Sequence, residues 1–184
     1  MAFSGPKHDI PAGIRGVSNI LGLEWNCGGQ RKVLWNLLTS ALKVTKADMG
    51  NVQILGIEGL RIEAQIGFQQ PFLDYFQIVR DGSCACGAAK REGKRIIVEN
   101  VADSPVFQDI RARQTMLDAG ARAVQSTLLI SRSGKLIGML STHFREPRGL
   151  SEKECRLLDV LTTLASPMME ASALLEDGYS VFVG

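Results

Sequence analysis

Residues 77–107 read QIVRDGSCACGAAKREGKRIIVENVADSPVF, and residues 117–145 read LDAGARAVQSTLLISRSGKLIGMLSTHFR. In the first stretch a loop ending in Ser83-Cys84-Ala85-Cys86-Gly87 opens a short helix. A short strand follows over residues 96–99. Asp103-Ser104-Pro105 then predicts a second helix, with Ser104 as the cap and Pro105 in the first turn, where its missing N–H costs nothing. In the second stretch residues 123–131 and 135–144 alternate polar and apolar side chains on either side of Arg132-Ser133-Gly134, the pattern of an adjacent hairpin.

Working outward, Val33, Leu34, Leu37, Leu38, Ala41 and Leu42 recur at helical spacing and give one apolar stripe. Gly50, after Ala47-Asp48-Met49, is expected to stop that helix. A further hairpin comes next: Val52, Ile54, Leu60, Ile62, Ala64 and Ile66 alternate with Asn51, Gln53, Arg61, Glu63 and Gln65 around a turn at Glu58-Gly59. Its polar face predicts an antiparallel sheet covered on one side. Residues 71–76 supply Phe72, Tyr75 and Phe76 in a short helix or turn. After the loop Pro147-Arg148-Gly149, Ser151 and Glu154 have the spacing of a capping box. Leu157, Leu158, Leu161, Leu164, Ala165 and Met168 then form a second helical stripe, which Pro167 is expected to kink or end.

The 184 residues and 20.0 kDa suit one domain with an arm and a tail. The expected boundaries are an arm over residues 1–29 with a short turn of helix at residues 17–21, the domain over 30–175, and a tail over 176–184. Hydrophobic residues make up 45% and charged ones 22%, enough to bury a core. The net charge of +2 is spread along the chain, which argues against a nucleic-acid surface. No apolar run approaches the roughly 20 residues of a membrane span, and the N-terminus has no signal-peptide core, so a cytoplasmic protein is expected. Four cysteines are too few and scattered for a secreted disulfide scaffold. Cys84 and Cys86 lack a second close Cys or His pair to complete a zinc site; the histidines are His8, in the arm, and His143.

Helix, hairpin, short helices, strand, helix, hairpin and helix make an α+β layout. Long terminal helices should cover one face of the sheet, and short helices and loops the other. The order of elements and the joints in residues 77–145 resemble a GAF domain, a small-molecule-sensing module of signalling proteins, over roughly residues 30–169. The resemblance implies a PAS-related antiparallel sheet with a ligand pocket between the sheet and the short helices, walled in part by residues 77–94. It also implies pairing through the terminal helices, hence a homodimer or a signalling partner protein. It names neither ligand nor cofactor.

The candidate pocket residues are Phe76, Cys84, Cys86, Phe107, Gln125, Ser141 and His143. Gly82 and Gly87 let the backbone come close, and the N–H groups of a helix starting near Cys84 to Cys86 suit an anion, a carbonyl or a thiolate. The same cysteines also read as small buried residues packing a helix on the sheet. Ser141 and His143 project together from the last strand, with Ile137 and Met139 on their face; Gln125 or Ser126 joins them according to register. His143 reads equally as a strand-end histidine bonded to a backbone carbonyl. Asp118 and Arg122 either hold a ligand's charged group or pair at the surface. The aromatics Phe72, Tyr75, Phe76 and Phe107 line a pocket or fill a core.

No nucleophile–base–acid set is present, so a non-catalytic sensory or regulatory module is the leading expectation. A second is a stand-alone enzyme resembling the free-methionine-sulfoxide reductases, with Cys86 in a similar Cys-Gly context. That family carries a further cysteine before the final hairpin, where residues 116–122 here read MLDAGAR. The Asn-Lys…Phe…Asp-Glu pattern of cyclic-nucleotide-binding GAF domains is absent, as is the cysteine beside a histidine of the bilin-binding ones. A third expectation is a dimerisation domain with a vestigial pocket.

Overall fold

The computed structural model describes residues 29–179, apart from Asp81, Ser83 and the side chains of residues 172–179. The expected arm, its turn of helix, His8 and Cys27 lie outside the described residues. The elements in order are α1 Gly29–Thr45, β1 Met49–Gly56, β2 Gly59–Ile66, α2 Gln70–Phe76, β3 Ile78–Val79, α3 Ala85–Glu92, β4 Ile96–Val98, α4 Ile110–Asp118, β5 Ala123–Ile130, β6 Leu136–Phe144 and α5 Glu152–Tyr179. The strands form one antiparallel sheet, β3-β2-β1-β6-β5-β4. Its middle pair, β1 and β6, comes from the first and last hairpins.

The two helical stripes meet where expected. Leu37, Leu38 and Ala41 of α1 and Leu158, Leu161 and Ala165 of α5 close over Val52, Leu129 and Leu140. The opposite face is equally covered, with Met49, Leu60, Phe72, Ala88, Phe107 and Met116 packed beneath α2, α3 and α4. Each such large side chain contributes about 1.5–3 kcal/mol when removed from water, which outweighs the polar alternation of β1. The half-covered sheet read from that alternation is therefore corrected: Asn51 and Gln53 are buried.

Two bulges also alter the reading of faces. Gln53 pairs with Ile62 but Val52 with Ala64, so Glu63 is the extra residue. Leu60 and Ile62 thus join the short-helix side, while Ala64 and Ile66 join the terminal-helix side. In the last hairpin Leu129 pairs with Gly138 and Ile130 with Leu136. This sends Ile137 to the terminal helices, away from Met139 and Ser141.

Three local expectations change as well. Lys46, with φ 53°, takes the left-handed position after α1, and Gly50 lies inside β1, where a Cβ would meet Leu38 Cδ1 and Ser141 O at 2.9 Å. Ser104 opens only a turn, its Oγ accepting from Val106 N at 3.2 Å; the helix starts later, capped by Asp109, whose carboxylate accepts from Arg111 N and Ala112 N. That delay lets Phe107 drop into the core at 1% exposure. Pro167 does not end α5, which runs on to Tyr179, past residue 175. The carbonyl that loses its N–H partner belongs to Thr163, an exposed residue, so water can take its place.

The capping box forms as predicted: Glu154 N donates to Ser151 Oγ at 3.3 Å and Ser151 N to Glu154 Oε2 at 2.8 Å. Burial alone would raise the Glu154 carboxyl, but hydrogen bonds from Ser151 and Arg148 hold it below its usual range. Arg148 grips both Glu154 oxygens at 2.7 and 2.8 Å, donates to Thr45 O at the end of α1 at 3.2 Å, and lies 4.7 Å from the Phe144 ring centroid. One side chain thus ties the end of α1 to the start of α5. Arg148→Ala should cost on the order of 2 kcal/mol, because charged hydrogen bonds and a cation–π contact are lost together. Urea unfolding would show it as a lower midpoint; an unchanged midpoint would mean the tie contributes nothing.

Candidate functional site

The short-helix face of the sheet encloses a cavity. Its floor is polar: Asn51 and Gln53 of β1, Ser126 of β5, and Ser141 and His143 of β6. Its roof is mostly apolar: Phe72 and Phe76 of α2, the start of α3, Phe107, and Met116 of α4. The space between them measures about 280 Å3, counting all volume outside the atoms and the open mouth.

Antiparallel register explains the floor. Met49 pairs with His143, Asn51 with Ser141 and Gln53 with Met139, so alternate residues of β1 and β6 point the same way. Ser126 pairs with Ser141 across β5 and β6, and their hydroxyls are 2.8 Å apart. His143 is 4% exposed, and the rings of Phe68 and Phe72 stand edge-on to it at 4.9 and 5.9 Å. Burial lowers its pKa to about 3, so the imidazole is neutral at physiological pH. Asn51 Nδ2 lies 3.4 Å from His143 Nε2. Among the described residues, three enclosed polar atoms have no partner: Asn51 Oδ1, Gln53 Oε1 and His143 Nδ1.

At the roof, Cys84 caps α3 and Cys86 lies in its first turn, with the two sulfurs 3.1 Å apart, well beyond the about 2.05 Å of a disulfide bond. The hydrogen bond with Cys84, and burial after it, push the Cys86 thiol well above its usual range. Tyr75 donates to Asp109 Oδ2 at 3.0 Å, joining α2 to the cap of α4. Burial, then this bond to Asp109, raises the Tyr75 phenol; the backbone N–H of Arg111, followed by Tyr75, keeps the Asp109 carboxyl low.

The register thus brings Phe76, Cys84, Cys86, Phe107, Ser141 and His143 around one space. Gln125 is not among them. It pairs with Thr142 on the terminal-helix face, where its Nε2 donates to Thr142 Oγ1 at 3.1 Å and its Oε1 accepts from Thr127 at 2.6 Å. Ser126 takes the place in the cavity. Asp118 accepts from Gln114 at 2.7 Å, and no ion pair joins it to Arg122 among the described residues. Asn51 and Gln53 were missed by sequence reasoning: alternation marked them as one face, but only the β1–β6 pairing shows that this face lies under the roof. Among the described residues no three His, Cys, Asp or Glu side chains lie close enough together to hold a metal ion. No helix of the described residues is long and apolar enough to cross a membrane.

Comparison with known proteins follows the same lines. The chain is similar in fold to the free methionine-R-sulfoxide reductase of Neisseria meningitidis, solved with its substrate, at 15% identity and TM-score 0.67 over 88% of this chain and 89% of that one. It is similar to the GAF domain of the Acinetobacter phosphoenolpyruvate-protein phosphotransferase at 12% identity and TM-score 0.67 over 89% and 94%. A GAF domain/HD domain protein of Geobacter sulfurreducens gives 16% and 0.66 over 79% and 94%. No protein of curated function matches by sequence. The family model described as GAF domain matches residues 30–170, most of the chain, and the chain belongs to the GAF domain family.

Proposed function

We propose that this GAF domain is a non-catalytic sensory or regulatory module of the cytoplasm that binds a small molecule in the roofed cavity. Occupancy is passed on through α1 and α5, either within a homodimer or to a signalling partner protein. The observation that carries the reading is the trio of enclosed polar atoms on one wall, Asn51 Oδ1, Gln53 Oε1 and His143 Nδ1. A buried polar atom left without a partner costs about 1–3 kcal/mol, and a ligand with matching groups removes that cost. The thiol chemistry supports a binding role over a reductase role, because Cys86 is held protonated and the thiolate is the reactive form. Residues 116–122 also lack the cysteine that the reductases carry before the final hairpin.

A ligand that binds only the folded chain must raise its melting temperature with increasing concentration. Protein stripped of bound small molecules and screened by thermal unfolding against a broad metabolite set should show such a rise, retained in Cys86→Ser. No shift with any compound would leave a dimerisation domain with a vestigial pocket as the better reading. Loss of free methionine sulfoxide in the presence of a thiol reductant, abolished in Cys86→Ser, would instead establish the enzyme.

A further inference from the structure

We infer that the cavity takes an uncharged cyclic amide, imide or urea, held along its N–H and C=O edge by Asn51, Gln53 and His143. This rests on the binding reading above and narrows it to a ligand class.

Charge decides first. Among the described residues lining the cavity, none is Asp, Glu, Lys or Arg. An ion placed there would give up its water for no charged side chain among the described residues; an anion would meet only the N–H groups at the start of α3, which offset part of a cost of several kcal/mol. Carboxylates, phosphate esters and ammonium compounds are thereby disfavoured. A wholly apolar ligand fares no better, because it leaves the three enclosed polar atoms without partners.

Donor and acceptor pattern decides next. With Asn51 Nδ2 donating to His143 Nε2, the imidazole proton sits on Nδ1, and the wall offers one donor beside the acceptors Asn51 Oδ1 and Gln53 Oε1. With the Asn51 amide turned over, Nε2 donates to Oδ1, and His143 Nδ1 becomes an acceptor beside a free amide N–H of Asn51. Both arrangements mix donor and acceptor along one strand edge. An amide, which carries N–H and C=O side by side, complements either.

Size and shape complete the argument. Because the 280 Å3 takes in the open mouth as well as the enclosed space, it is an upper bound, and at about 30 Å3 for each water in the liquid the ligand has fewer than about ten non-hydrogen atoms. Phe72, Phe76 and Phe107 give the roof flat apolar surfaces suited to a ring.

The test is calorimetric titration of the full chain with 2-pyrrolidone, hydantoin and uracil. Two controls stay within that size: N-methyl-2-pyrrolidone lacks the N–H donor of 2-pyrrolidone, and pyrrole-2-carboxylate puts a charge on a ring compound with as many non-hydrogen atoms as uracil. At least one neutral probe should bind, with pyrrole-2-carboxylate weaker than that probe by about tenfold or more, and N-methyl-2-pyrrolidone likewise weaker than 2-pyrrolidone if that is the probe. Gln53→Met keeps the side-chain shape and drops its polar end. It should weaken binding by a similar factor while leaving the urea midpoint level or raised. Failure of all three neutral probes, alongside a melting-temperature rise with carboxylates or phosphate esters, would overturn the ligand class and leave the sensing role standing. Failure of compounds of every charge would take both down. A clearly lower midpoint for Gln53→Met would mean that Gln53 Oε1 already has a partner, and would overturn the inference on its own.

Discussion

Acidification from pH 6.5 to pH 5 should cost the folded chain about 2 kcal/mol through His143 alone, at 1.36 kcal/mol per pH unit. The unfolded chain takes up a proton at this residue near 6.5, whereas the folded chain does so only near 3, because burial disfavours the charged ring. Between those values the unfolded state binds more protons, so stability is complete above pH 6.5 and is lost as pH falls towards 3. The full loss across that window is about 5 kcal/mol. The carboxyls of Glu92, Glu154 and Asp109 are also held low, but their contributions fade only as pH falls through the ordinary values of 4.5 for the two glutamates and 3.8 for the aspartate. The interval from pH 6.5 to 5 therefore isolates the histidine. Urea midpoints measured across it should fall steadily in the natural chain and stay nearly flat in His143→Gln, which keeps a polar side chain that does not titrate. A flat profile in the natural chain would show that His143 is open to water or already charged.

Gly138→Ala should be at least as damaging, at about 3 kcal/mol or more. A Cβ at this position would lie 2.3 Å from the backbone oxygen of Gln53 and 3.2 Å from Leu129 Cδ1. The oxygen belongs to the neighbouring strand and cannot swing aside like a side chain. β1 and β6 would have to part at the centre of the sheet, and the floor of the cavity would move with Gln53. The expected result is a much lower urea midpoint. A midpoint within error of the natural chain would show that the strands tolerate wider spacing.

Much of this architecture was readable in advance, for identifiable reasons. The leucine stripes of α1 and α5, the hairpin at Arg132-Ser133-Gly134 and the Ser151–Glu154 box are local signals, set by residues a few positions apart. What escaped depends on distant chain meeting. Nothing near Glu63 or Ile137 marks either as the extra residue of a bulge, since each bulge is defined by its partner strand. The placing of Gln125 and Ser126 turned on a single step of register, and that step assigned one to the cavity and the other to the opposite face. Asn51 and Gln53 follow an alternation that usually means contact with water. Their burial came from α2 and α3, whose position over β1 no local spacing specifies. Ser104-Pro105 was misread because a cap-like pair opens a turn as readily as a helix, and the demand of Phe107 for the core decided between them.

The single thickness of β1 has one more consequence. Val52 stands between Asn51 and Gln53 in sequence, yet faces the leucines of α1 and α5 while its neighbours face the cavity. Two compartments with separate fillings share a wall one residue deep. Any repacking that pushes Val52 must carry both amide side chains with it, and any pull on those amides must be felt beneath the helices. Substitutions that retune what the cavity accepts are thus to be sought on the far side of the wall as well as within it.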